Sequence, residues 1–340
     1  MNFRRSISVG MASVLATVWL GLAARAAADV APGSMDVRWS EGAPDCTAST
    51  APPLQIHRYN DTTYILRQEL CATFEAPFLY LLIGSSRALL VDTGDVSDAK
   101  AMPLADTVQK LLPDKLPLLV VHTHRHSDHR AGDGQFAGRP NVEVVGYDID
   151  SVKHYYGFTD WPNGQAQIDL GGRIVDALPT PGHNETEVSF YDRDTTLFLS
   201  GDFLMPARLL IDDAAADLAS AQRVADFVKD RPVAYVLGGH IELDDKGEAF
   251  DFGSTYHPHE RPLPLAKADL LALPAIIASF NGFYSQSGMF IMLNQTRQLY
   301  AFGTGALVVL GGMIYGLWRS IRWWRRRRRA GVIAFREDRG

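Results

Sequence analysis

His122-Thr123-His124-Arg125-His126-Ser127-Asp128-His129 crowds four imidazoles and a carboxylate into a single short run. Within it, His124, His126, Asp128 and His129 keep the H-x-H-x-D-H spacing that two neighbouring first-row metal ions can share. No helix or strand requires such a run, and burying these groups unpaired costs free energy. A metal site is the simplest account. Leu118-Leu119-Val120-Val121 precedes it and reads as a short buried strand, with Pro117 at its entry and Gly132 and Gly134 just beyond the cluster. The histidines therefore fall on a turn at a strand's C-terminal edge, where open α/β sheets bind ligands. Imidazole and carboxylate without thiolate suit Zn, Fe, Mn or Co, with Zn the usual choice for redox-free hydrolysis.

Working outward, three more apolar runs end in a metal-competent side chain. Ile174–Leu178 leads to Thr180-Pro181-Gly182-His183, Leu197–Leu199 to Ser200-Gly201-Asp202, and Val233–Leu237 to Gly238-Gly239-His240. A single strand-end His or Asp is usually a turn residue. The weight lies in the set.

The order H-x-H-x-D-H, T-P-G-H, G-D, G-G-H, preceded by Leu89-Leu90-Val91-Asp92-Thr93-Gly94, resembles the metallo-β-lactamase superfamily over residues 55 to 245. The resemblance implies a four-layer αββα sandwich with the site at one rim. It also implies one metal on His124, His126 and His183 and a second on Asp128, His129 and His240, bridged by Asp202, with Asp92 bracing the metal loop. Two such cations can bridge a water, lower its pKa and polarise a carbonyl or phosphoryl oxygen, with Asp128 orienting that water and passing a proton to the leaving group. Lactamases of the superfamily carry Cys or Ser at the position of Asp202. A carboxylate there resembles the glyoxalase II, lactonase and phosphodiesterase branches, so esters, thioesters, lactones and phosphoesters rank above β-lactams. A mononuclear iron dioxygenase of similar histidines stays open. So does a non-catalytic scaffold stabilised by metal, although retention of both Asp128 and Asp202 favours an enzyme.

Composition adds a membrane. Residues 29–298 hold 21 Lys and Arg against 37 Asp and Glu, a net charge of −16 against −6 for the whole chain of 340 residues. Such a domain repels nucleic acid, whose backbone is bound by clustered cations. Residues 1–28 read as a secretory signal, with Arg4 and Arg5, an apolar run from Ile7 to Ala24 and small residues at 24–28. Cleavage and retention as an anchor both remain open, and Arg4-Arg5 faintly resembles a twin-arginine signal. Leu299 to Trp318 is a charge-free run of 20 residues, long enough to span a bilayer. Arg319, Arg322 and Arg325–Arg329 follow, so 319–340 is a basic tail that stays in the cytoplasm. The expected placement is a single pass of a bacterial-type inner membrane, with the acidic domain in the periplasm. Gly312 and Gly316 would permit close approach of a second copy.

Cys46 and Cys71, in an oxidising compartment, can form a bridge closing a loop of about 25 residues and contributing about 3 kcal/mol; two free thiols are the alternative. The remaining expectations are a loose leader over 29–54, a catalytic domain over 55–254 with helices over Met102–Leu112 and Ala219–Asp230, and an extension over 255–298. In that extension Tyr256 and His257 are either substrate contacts or part of a solvated Pro-rich linker. His122 is expected behind the ligands rather than among them, and Glu185 either orients an imidazole or lies at the surface.

Overall fold

The computed structural model describes residues 30–337, with side chains up to residue 325. The signal sequence read over 1–28 lies outside the described residues. Two sheets form the centre. The first, in the order β1-β2-β3-β4-β5-β6, comprises β1 (Leu54–Asn60), β2 (Thr63–Gln68), β3 (Phe78–Ile83), β4 (Ala88–Val91), β5 (Leu118–Val121) and β6 (Val142–Val144). The second, in the order β12-β10-β9-β8-β7, comprises β7 (Ala166–Asp169), β8 (Ile174–Pro179), β9 (Val188–Asp192), β10 (Leu197–Gly201) and β12 (Tyr235–Gly238). A smaller sheet joins β11 (Arg208–Leu210) to β14 (Phe290–Leu293) and β13 (Tyr284–Ser287). The helices are α1 (Leu104–Leu111), the single turn α2 (Ser127–Arg130), α3 (Ile149–Tyr156), α4 (Ala214–Val228), α5 (Lys267–Ala278) and α6 (Gln295–Glu337).

Side-chain alternation explains the layers. Successive strand residues point to opposite faces, so unbroken apolar runs such as Phe78–Ile83 fill two cores at once. Phe78, Tyr80, Leu82, Leu89, Val91, Leu119 and Val121 meet Val175, Ala177, Phe190, Leu197 and Leu199 between the sheets. Their neighbours Leu79, Leu81, Ala88, Leu90, Leu118 and Val120 turn outward to Leu104, Ala105 and Val108 of α1. On the far side Phe198 and Val236 pack against Val224 and Val228 of α4 and Leu270 and Leu273 of α5. The result is the expected αββα order. A hairpin turn at Gly84–Arg87 joins β3 to β4, with Ile83 opposite Ala88. Helix α4 starts five residues before the expected Ala219, because Asp213 caps it by accepting from the Ala215 and Ala216 amides.

The leader, expected to be loose, is packed, and so is the extension. Trp39 of the leader is buried edge-on against Phe78, and Cys46 and Cys71 form a disulfide with Cα atoms 5.3 Å apart. The extension supplies α5, β13 and β14, and β14 pairs in parallel with β11. Over Gln295–Arg325, α6 is long and apolar enough to cross a membrane, and its side chains from Leu299 to Trp324 are exposed.

Candidate metal centre

The site is assembled at strand ends. Strands β8, β10 and β12 run in one direction, because β9 is antiparallel to both β8 and β10 while β10 and β12 are parallel. Their C-terminal ends deliver His183, Asp202 and His240 to one edge. The parallel pair β4 and β5 of the facing sheet delivers Asp92 and the 122–129 turn to the same rim. Gly239 is required there by space alone, since a Cβ on it would lie 2.4 Å from Asp202 Oδ1 and 2.9 Å from His129 Cε1.

The seven expected ligands converge in two groups. His124, His126 and His183 form one, and Asp128, His129, Asp202 and His240 the other, each with its ligand atoms within 4.8 Å of one another. His126 Nδ1 is 2.9 Å from His124 Nε2 and 3.0 Å from His183 Nε2. In the second group His240 Nε2 is 3.2 Å from His129 Nε2, 3.3 Å from Asp128 Oδ2 and 3.6 Å from Asp202 Oδ1. Asp202 Oδ2 reaches the first group, 3.6 Å from His183 Nε2. A tetrahedral cation with bonds of about 2.0–2.1 Å sets its ligand atoms roughly 3.3 Å apart, which is the scale of these separations.

The outward nitrogens fix the inward ones as lone pairs. His183 Nδ1 donates to Leu210 O at 2.8 Å, His240 Nδ1 to Glu75 O at 2.6 Å and His129 Nδ1 to Asp92 Oδ2 at 2.9 Å. Such partners orient metal-ligating imidazoles. Asp92 is a hub, because its carboxylate also accepts from the Thr123 amide at 2.7 Å and from Thr123 Oγ1 at 2.9 Å. Thr123 Oγ1 in turn lies 3.2 Å from His124 Nδ1, so the hub touches both groups.

The electrostatics call for positive charge. His129 is fully buried, which disfavours its cation, yet Asp202, Asp128 and Asp92 around it push its pKa well above the usual imidazole range. Burial works against ionised Asp128 too, but His129 and His240 hold it below the usual carboxylate range. Burial and neighbouring imidazoles push His124 and His126 down into the neutral form that ligates metal. Asp202 Oδ1 is buried without a hydrogen-bond partner among the described residues. Two ligand carboxylates backed by Asp92, inward lone pairs and an orphaned oxygen suit divalent metal at this rim.

A cleft of about 570 Å³ opens over the site. Asp128, His126, His183, Asp202 and His240 form its floor. The walls come from Glu75, Met205, Arg208, Glu242 and Phe252, and from Gln295, Thr296 and Gln298 at the start of α6. None of these wall residues carries a sequence motif, and none was singled out from the sequence. Burial raises the Glu75 carboxyl to about 7, with His240 opposing and Asp128 reinforcing the shift. Arg208 Nε donates to Glu242 at 2.9 Å.

Tyr256 and His257 do not line this cleft. Tyr256 is exposed and bridges to Gly42. His257 is buried, stacked on Phe250, and its Nδ1 lies 3.1 Å from Glu260, whose carboxylate forms a two-pronged pair with Arg67. Residues 257–260 are therefore pinned to β2, which also sets aside the solvated-linker reading. His122 donates to Asp133 at 2.8 Å behind the ligands, as expected. Glu185 is exposed and pairs with Arg125, so it orients no imidazole.

Comparison with known proteins follows the same lines. The family model described as "Metallo-beta-lactamase superfamily" matches residues 72–240. The human protein named acyl-coenzyme A thioesterase MBLAC2 is 24% identical over 218 residues, 52% of this chain and 77% of the relative. The chicken protein of the same name is 25% identical over 215 residues, with the same coverages. The chain also aligns with a metallo-beta-lactamase from Hirschia baltica at 18% identity and a TM-score of 0.44, covering 55% of this chain and 90% of that one. With every ligand position of the resemblance gathered at one rim of an αββα sandwich and the family model spanning that rim, the domain built around residues 72–240 is a metallo-β-lactamase-superfamily domain, a hydrolase of that fold.

Proposed function

We propose that this chain is a dinuclear zinc hydrolase, anchored in a membrane by α6 with its domain facing outward, that cleaves an ester, thioester, lactone or phosphoester. The observation that carries the reading is Asp202, a buried carboxylate with one oxygen turned to each histidine group. It is the residue type that lets one side chain serve two cations. Thioesters come first among the four, because the curated relatives are named acyl-coenzyme A thioesterases. When bound, the two cations supply an acidified water as nucleophile and a Lewis acid for the carbonyl oxygen.

The chain's own residues do the rest. Ionised Asp128, on the cleft floor, holds the attacking water by one hydrogen and takes that proton. Water oxygen bonds to the acyl carbon, the carbon–sulfur or carbon–oxygen bond breaks, and the proton passes to the departing thiolate or alkoxide. Asp92, Leu210 O and Glu75 O keep the imidazoles aimed. The disulfide supports an oxidising compartment, and the arginines from 319 onward support a cytoplasmic C-terminus.

The test uses the full chain in detergent micelles with bound metal measured, against a lactone, a thioester, a phosphodiester, an aryl ester and a β-lactam. Turnover of one of the first four is expected, and Asp128→Asn should lower it by about 10²–10⁴-fold, with bound metal measured in both proteins so that loss of the water-orienting carboxylate is told apart from loss of a cation. Turnover of the β-lactam alone would replace this reading with a lactamase.

A further inference from the structure

We infer that α6 does more than tether the domain: it holds the mouth of the metal-site cleft at the membrane surface, so that the enzyme takes long-chain acyl esters or thioesters presented by the bilayer. This rests on the hydrolase reading above. Gln295, Thr296 and Gln298 form part of the cleft wall. The next residues of the same helix, Leu299, Tyr300 and Phe302, are 75%, 73% and 71% exposed and begin the apolar span. Four residues of helix separate Gln295 from Leu299, a rise of about 6 Å. An acyl chain leaving the cleft along α6 meets hydrocarbon within roughly one helical turn.

The junction is stiff. Asn294 is buried at the helix start, donating to Ile211 O at 2.7 Å and Asp212 O at 3.1 Å and accepting from the Arg297 amide at 2.8 Å. Arg297 and Gln298 donate to Gly282 O and Phe283 O, at 3.1 and 3.0 Å. The cleft and the span therefore move as one body. Around this junction the domain leaves aromatic side chains in the open. Phe252, on the cleft wall, is 74% exposed and meets Phe74 edge-on, and Phe283 and Tyr284 stand beside the first turn of α6. Exposed apolar rims of this kind mark a membrane or ligand contact, and aromatic rings favour the headgroup layer.

The experiment reconstitutes the full chain in phosphatidylcholine vesicles. It compares hydrolysis of soluble C4 acyl esters and thioesters with that of their C16 counterparts carried in the same bilayer. A variant with a flexible eight-residue Gly/Ser insertion between Leu299 and Tyr300 frees the cleft from the membrane, and a second, Phe283→Ser with Tyr284→Ser, strips the rim. Wild type is expected to favour C16 over C4 by at least tenfold. Both variants should lose at least tenfold on C16 while C4 rates stay within about twofold. If the insertion disturbs the fold, seen as loss of C4 turnover, the rim variant decides alone. Equal retention of C4 and C16 rates in the folded variants overturns the inference and leaves the hydrolase reading standing. Absence of turnover on every substrate in metal-loaded wild type overturns the hydrolase reading itself. A preference confined to the C16 thioester identifies an acyl thioester as the source, and one confined to the C16 ester a lipid.

Discussion

Replacing Asp92 with asparagine should weaken metal binding more than it weakens the fold. The carboxylate accepts three buried hydrogen bonds, from the Thr123 amide, Thr123 Oγ1 and His129 Nδ1. An amide keeps one oxygen for the Thr123 amide but turns an NH2 toward the other two donors. One or two buried donors lose their acceptor, at about 1–3 kcal/mol each, so the domain should lose about 2–4 kcal/mol. That is survivable against a typical margin of about 5–15 kcal/mol. His129 also loses the negative charge that makes its inward nitrogen basic, and loss of such a partner typically costs about 10–100-fold in metal affinity. The group with His129 should suffer most. The His124 group feels Asp92 only through Thr123, so its affinity should fall by less. Competition against a chromophoric zinc chelator, run on apo protein, resolves the two sites, and thermal melts of the apo form report the fold. Unchanged affinity at both sites, or equal loss at both, would refute the role assigned to this hub.

Three further outcomes follow from geometry outside the site. Glu260→Ala leaves the buried Arg67 guanidinium without its carboxylate, which should cost about 3–5 kcal/mol and lower Tm by about 10 °C; a drop under about 2 °C contradicts the pairing. Asp217 is buried beneath the His183 turn, and burial, reinforced by Asp213, raises its carboxyl to about 8 from an ordinary 3.8. The folded state then binds a proton that the unfolded chain releases near pH 4, so this contribution to stability is complete below about pH 4 and is lost as pH rises to about 8. Relative to wild type, Asp217→Asn should gain about 1.4 kcal/mol per pH unit across that window, read from urea midpoints, whereas parallel curves exclude the shift. Replacing Cys46 and Cys71 together with serine opens a loop closed over a separation of 25 residues. That should lower stability by about 3 kcal/mol, and an unchanged urea midpoint contradicts it.

What the sequence disclosed and what it hid divide along physical lines. The ligands were legible because His and Asp at the ends of apolar strands have little reason to be there except a cation, and because four of them share one turn. The sheets were legible from apolar runs such as Leu118–Val121 and Leu197–Leu199, and the layer order from the family resemblance. The cleft walls were not legible. Glu75 enters through a loop before β3, Phe252 through a loop after β12, and the start of α6 through the parallel pairing of β14 with β11 across more than eighty residues. No local period or motif encodes those meetings. The leader looked loose because it is rich in Pro, Ser and Ala, and the extension read only as a connection to the membrane. Long-range contacts nonetheless hold them, among them Trp39 on Phe78 and the Cys46–Cys71 disulfide in one, and Glu260 on Arg67 and the pairing of β14 with β11 in the other. The place of His257 was hidden for a related reason, since a His-Pro-His run reads as a substrate contact or a solvated linker while its ring is occupied by Phe250 and Glu260.

The account's central claim is a pair of cations sharing Asp202. Elemental analysis of the purified full-length protein, beside Asp202→Ala, tests it most directly. The expected result is about two zinc equivalents per chain in wild type, falling to about one or fewer in the variant. Two equivalents in both proteins, or a single equivalent in wild type, would contradict a shared carboxylate at this rim.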